Sequence, residues 1–124
     1  MQQFTEGQVD GVDVVAASGA VDMLTAPRLQ ELVTVVLARE PACLVIDLTH
    51  VDFLGSAGMQ VLMTTRNRLG PGTRFAVVAD GPATARPLKI TGITDFIEIF
   101  PTLDIALQNV TAGSASHAVA DGDV

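Results

Sequence analysis

Short apolar runs separated by stretches of helical period constrain this chain more than any other feature. Cys43 to Leu48 is almost continuously apolar, and so is Phe75 to Ala79. Each run is too short for a buried helix, and Pro41 stands just before the first. Runs of this kind read as strands covered on both faces, the pattern of a parallel sheet. Before the first run, Leu29, Leu32, Val33, Val36 and Leu37 recur at i, i+3, i+4, i+7 and i+8, an amphipathic helix opened by Thr25-Ala26-Pro27, with the Thr25 hydroxyl expected to accept a backbone N–H at the cap. Between the two runs, Met59, Leu62, Met63 and Leu69 mark a second helix, stopped by Gly70-Pro71-Gly72. Alternation at this spacing implies crossover units on a sheet with parallel strands.

The remaining segments fit around this centre. Val12 to Ala17 reads as a strand ended by Ser18-Gly19, and Gln3 to Gln8 as a strand before it, joined by a tight Asp10-Gly11 hairpin. Pro82 to Ile90 is weakly helical, with Pro87 placing the start of a short helix near itself. Phe96 to Ile99 reads as a short strand. Thr102 caps a last helix that buries Leu103, Ala106, Leu107 and Val110. From Thr111 to Val124 there is little to bury, so residues 111–124 are expected to be a disordered tail after one domain at 1–110.

Composition narrows the function classes. The net charge is −7, and seven basic residues are scattered along 124 positions. A nucleic-acid binder shows a basic stripe, so direct nucleic-acid binding is not expected, nor is an anionic membrane surface. No apolar run reaches the roughly 20 residues of a spanning helix, and no signal peptide is visible, so the expected location is cytoplasmic. Cys43 lies within an apolar run and reads as a buried, inert thiol. Neither a phosphate-binding loop nor a dinucleotide fingerprint is found. With His50 and His117 as the two histidines and one cysteine, a transition-metal site is not expected. No cofactor and no catalytic residue are implied.

One segment stands apart, Val51-Asp52-Phe53-Leu54-Gly55-Ser56-Ala57-Gly58. It joins a buried strand to a helix, so Ser56 falls near a helix N-terminus, and two glycines flank it with room for another molecule to approach. Three readings of Ser56 compete: a helix cap, a serine presented to a partner, and a nucleophile elbow, which wants G-x-S-x-G and a positioned histidine and is opposed by Gly55 directly before Ser56, His50 upstream of it and His117 in the expected tail. Asp22 reads either as part of a partner-facing acidic rim with Asp52 or as a turn residue. Asp47 and Asp52 favour local structural roles.

Several segments resemble the STAS domain family, whose bacterial members include the anti-sigma factor antagonists. Gly19-Ala20-Val21-Asp22-Met23-Leu24-Thr25-Ala26-Pro27-Arg28-Leu29 is similar to the family's G-x-[LV]-D-x-x-[ST]-A-x-x-L segment. Leu44 to Leu48 followed by Val51 to Leu54 resembles its central strand, and Gly55-Ser56-Ala57-Gly58-Met59 its D-S-[ST]-G-L switch. Leu88 to Ile93 and Phe100 to Leu107 resemble its closing segments, so the likeness covers roughly residues 5 to 110. Gly55 stands where the family has aspartate, and Ala57 where it has a second hydroxyl residue.

The resemblance implies an α/β fold: a single STAS-like domain with a mixed four- to five-stranded sheet and helices mainly on one face. It implies a non-enzymatic module that binds an anti-sigma factor of the GHKL kinase type and so releases a sigma factor. Ser56 would be the phosphorylated switch, with a serine phosphatase to reverse it. The implied partner face holds Asp22, Thr25, Asp52, Phe53, Leu54, Gly55, Ser56, Ala57, Gly58 and Met59. The alternative is a structural STAS module, not phosphorylated, in a larger signalling complex.

Overall fold

The computed structural model describes residues 3–119, with side chains to Thr111. Five strands form one sheet in the order β1 to β5, with chain order and spatial order the same. Strand β1 (Phe4–Val9) runs antiparallel to β2 (Val12–Val21). Their two-residue connection, Asp10-Gly11, has φ of 53° and 80°, the doubly positive geometry of a type I′ turn. Strands β3 (Cys43–Leu54), β4 (Arg74–Val78) and β5 (Glu98–Phe100) follow in parallel, so the sheet is mixed.

The continuous apolar runs have the predicted consequence. Leu44, Ile46 and Val77 meet α1 (Ala26–Leu37), α2 (Ser56–Arg68) and α3 (Ala85–Ile90) on one face, through Leu29, Val33, Val36, Leu62 and Leu88. Cys43, Val45, Ala76 and Val78 meet α4 (Leu103–Val119) on the other, through Ala106, Leu107 and Val110. Helices therefore lie mainly on one face. Cys43 is buried, its Sγ 3.8 Å from the Val110 carbonyl oxygen. Thr102 caps α4 as expected, its Oγ1 accepting from the Ile105 N–H at 3.2 Å.

Several boundaries differ from the sequence expectation. Strand β2 does not stop at Ser18-Gly19. Gly19 adopts φ 70° within it, where the β2–β3 register shifts, and the strand continues to Val21. A glycine inside a strand marks a bulge here, not an end. Strand β3 likewise runs on to Leu54. Helix α3 opens at Ala85, with Pro87 in its first turn, where no intrahelical N–H is required. The last strand is Glu98–Phe100 and not Phe96 to Ile99; Phe96 closes a 3₁₀ turn over Ile93–Asp95. In the segment expected to be a disordered tail, α4 extends to Val119, and residues 120–124 lie outside the described residues.

Beyond the sheet and the two cores, one ion pair ties the turn after α1 to the sheet edge. Arg39 donates to Glu6 through both terminal nitrogens, at 2.9 and 3.2 Å. The hydrogen bond from Arg39 holds the Glu6 carboxyl below its usual range. A carboxyl lowered in the folded state contributes stability that is present above its unfolded pKa and is lost as pH falls through the folded value. The Arg39→Ala variant is therefore expected to flatten the acid limb of the stability curve slightly, with no change near pH 7 beyond that of an exposed pair. Melting temperature against pH for both proteins checks this, and parallel acid limbs would contradict it.

Candidate functional site at the carboxyl ends of strands β2 and β3

Strands β2 and β3 are parallel neighbours, and Val21 and Leu54 face each other at their carboxyl ends. The two loops that leave these ends, toward α1 and toward α2, must therefore lie side by side. A backbone hydrogen bond locks them together, Gly55 N–H to the Val21 carbonyl at 2.9 Å. Crevices at strand carboxyl ends are the usual binding places of parallel α/β sheets.

The first loop is held from within. The Asp22 carboxylate accepts from the N–H of Leu24 at 3.0 Å and of Thr25 at 3.1 Å, and from the Thr25 hydroxyl at 3.2 Å. Thr25 Oγ1 also lies 3.0 Å from the Asp22 N–H, which it accepts, and 2.9 Å from the Ala20 carbonyl. The turn reading of Asp22 thus holds, and Thr25 braces the loop in place of the expected cap bond to α1. This closed loop pushes Met23 and Leu24 outward, 76% and 80% exposed.

The second loop carries Ser56. Gly55 occupies the N-cap position, its carbonyl accepting the first helical N–H from Met59 at 3.1 Å, and no side-chain hydrogen bond caps the helix. The cap reading of Ser56 is corrected accordingly: Ser56 is the first residue of α2 and is exposed. No acidic residue occupies the first turn, so the orphan N–H groups there meet no carboxylate of their own helix.

The flanking glycines have another reason than the one expected. Gly58 is buried, and a Cβ there would fall 2.7 Å from both Leu54 Cδ1 and Val21 Cγ1. Its missing side chain makes room for this chain's own core and opens no path for another molecule. Gly55 has an ordinary extended backbone, and a Cβ would meet the Phe53 ring at 3.2 Å. Phe53, 54% exposed, covers the place where the family's aspartate would project.

Asp52, Phe53 and Ser56 are exposed at this end, and Asp22, Thr25, Gly55, Ala57 and Met59 are half-buried. Leu54 and Gly58 lie beneath the surface and shape the loop from below. Asp47 is set apart; it binds the backbone and hydroxyl of Thr49, a local role as expected. Sequence reasoning placed the Asp22 to Thr25 loop here but passed over the exposed apolar character of Met23 and Leu24, and it missed Ile90, 73% exposed. Next to Ile90, Thr91 Oγ1 lies 3.7 Å from the Met59 sulfur, which brings the end of α3 beside α2. The available signal was two adjacent apolar residues inside an otherwise polar turn, which no period accounts for.

A family model, the STAS domain, matches residues 6–106. The chain belongs to the STAS domain family. Within it, this STAS domain is similar to the anti-sigma-F factor antagonist RsfB of Mycobacterium tuberculosis, 40% identical over 104 residues that cover 84% of this chain and 85% of the relative. It is also similar to the anti-sigma-B factor antagonist of Listeria monocytogenes, 32% identical over 101 residues, with 78% and 85% covered. Among solved structures, an anti-sigma factor antagonist from Mycobacterium paratuberculosis superposes with a TM-score of 0.85 at 47% identity, covering 87% of this chain and 92% of that one.

Proposed function

We propose that this STAS domain is an anti-sigma factor antagonist. It binds an anti-sigma factor of the GHKL kinase type through the loops after β2 and β3, frees a sigma factor, and is switched off by phosphorylation of Ser56. The carrying observation is the placement of Ser56: exposed, first in α2, with no cap duty, at the sheet end where the two adjoining loops expose Met23, Leu24 and Phe53. Exposed apolar side chains grouped around a polar switch residue are what a protein-binding surface requires. The antagonist names of the relatives support the same partner class. On this reading Asp52, Phe53 and Ser56 touch the partner directly. Asp22, Thr25, Gly55, Ala57 and Met59 set the loop shape at the contact, and Leu54 and Gly58 support them from the core. A cytoplasmic location follows from the partner, with a serine phosphatase restoring Ser56.

Affinity capture from a lysate of the source cell, with mass spectrometry of what is retained, tests the partner class. Recovery of a GHKL-type anti-sigma factor is expected. Recovery of sensor proteins or a large particle instead would favour a structural module, a reading that Gly55 and Ala57 within the switch also permit.

A further inference from the structure

Strand β3 carries one residue more than its neighbour just before the switch. Gly19 of β2 pairs with Val51, and the next residue, Ala20, pairs with Phe53, so Asp52 is left without a partner across the pair. In an unbroken strand Val51 and Phe53 would share a face, and Leu54 would lie on the other. The bulge at Asp52 undoes this alternation. Val51 and Leu54 both join the larger core, and Phe53 is turned out to solvent, 54% exposed. Bulges recur beside functional sites because they re-aim a side chain in this way. A second feature holds the ring where the bulge sends it. A Cβ at residue 55 would stand 3.2 Å from Phe53 Cε2 and 3.6 Å from Cζ, so the ring lies against the bare Cα of Gly55. Gly55 directly precedes Ser56 and stands where the family has aspartate. Here the chain presents an aromatic ring in place of a carboxylate. Asp52 precedes the ring, so no acidic residue stands in the chain between Phe53 and Ser56. Asp22, on the adjoining loop, spends its carboxylate on three hydrogen bonds within that loop. A partner that reaches the Ser56 hydroxyl to phosphorylate it comes within side-chain reach of a ring packed on the preceding residue.

We propose that the pair Phe53 and Gly55 selects which anti-sigma factor this chain accepts: the partner receives the Phe53 ring in an apolar pocket and has no cation opposite residue 55. The proposal rests on the antagonist reading and deepens it by naming the partner's chemistry at the switch. Selection then works from two sides, a pocket that the ring fills and an apolar wall that rejects a carboxylate. Phe53→Ala is expected to bind the anti-sigma factor about tenfold more weakly, or worse, as truncated aromatic anchors do. It is expected to melt within about 3 °C of wild type, because the ring lies on the surface. Gly55→Asn and Gly55→Asp press on the ring with side chains of one shape, so the difference between them reads the charge. Gly55→Asp is expected to bind about tenfold more weakly than Gly55→Asn.

Calorimetric titration of the anti-sigma factor recovered by affinity capture into full-length wild type, Phe53→Ala, Gly55→Asn, Gly55→Asp and Ser56→Asp, with a melting curve for each, tests this. If Gly55→Asp binds as tightly as Gly55→Asn, or more tightly, the partner tolerates or pairs a carboxylate there and the proposal is overturned. If Phe53→Ala binds within about twofold of wild type while Ser56→Asp loses affinity, the ring is no anchor and the switch face stands without it. Weaker binding by Phe53→Ala together with a fall of more than about 8 °C in melting temperature also overturns it, because the ring then supports the fold. If the wild type binds no anti-sigma factor, the antagonist reading fails and the Phe53 contact with it.

Discussion

The Ser56→Asp variant is expected to bind the anti-sigma factor at least tenfold more weakly than wild type while melting at the same temperature or slightly above it. The two halves of this expectation come from opposite sides of the same helix end. Within the chain, the first turn of α2 has orphan N–H groups, the positive end of the dipole, and no acidic residue of its own. A carboxylate there gains a few tenths of a kcal/mol, which offsets repulsion from exposed Asp52. Phosphate, carrying about −1.5 to −2 charges, is favoured in the same way. The partner side has no such compensation. Met23, Leu24 and Phe53 expose apolar surface on the two adjoining loops, and burying an unpaired charge against a protein costs several kcal/mol. Every ~1.4 kcal/mol is tenfold in affinity. Titration calorimetry and a melting curve check both halves. A large fall in melting temperature would mean that the charge acts on the fold and not on the partner.

The second large effect is expected at Gly58. A Cβ there would stand 2.7 Å from Leu54 Cδ1 and Val21 Cγ1, well inside any real contact. Both neighbours are buried core residues, 5% and 0% exposed, with nowhere to withdraw. Overpacking of this kind typically costs about 1–3 kcal/mol, so Gly58→Val is expected to lower the melting temperature by roughly 4–12 °C. Gly70→Ala is the control, since a Cβ there meets nothing within 4 Å. Equal melting temperatures for the two variants would contradict the packing role of Gly58. The consequence reaches the switch, because Val21 and Leu54 end the two strands whose loops carry Asp22 and Ser56.

The central sheet and its two covered faces were legible because Cys43 to Leu48 and Phe75 to Ala79 bury alternate side chains on opposite sides, which leaves an unbroken apolar run in the sequence. The Asp10-Gly11 hairpin was legible because a doubly positive φ demands those residue types. Gly19 and Gly58 misled for one reason. A glycine announces that a side chain is excluded but not what excludes it: a register shift with φ 70° at Gly19, and the branched ends of Val21 and Leu54 at Gly58. Ser56 was located correctly, while its freedom from capping depended on Gly55 taking the N-cap position, a difference of one residue that periodicity does not resolve. Asp22 held two readings until its carboxylate was found to accept three bonds inside its own loop. That makes Asp52 the cleaner position for charge reversal, because a change at Asp22 would also open the loop. Met23 and Leu24 gave no periodic signal, since their exposure follows from the shape of that loop.

The most direct test uses the natural modification. Purified chain is titrated with the anti-sigma factor before and after incubation with that kinase and ATP, and the treated chain is mapped by mass spectrometry. Binding before treatment, a single phosphate at Ser56 afterwards, and at least a tenfold loss of affinity in proportion to the phosphorylated fraction are expected. An unphosphorylated Ser56 after complete reaction, or a Ser56-phosphorylated chain that binds as tightly as the untreated one, would contradict the switch.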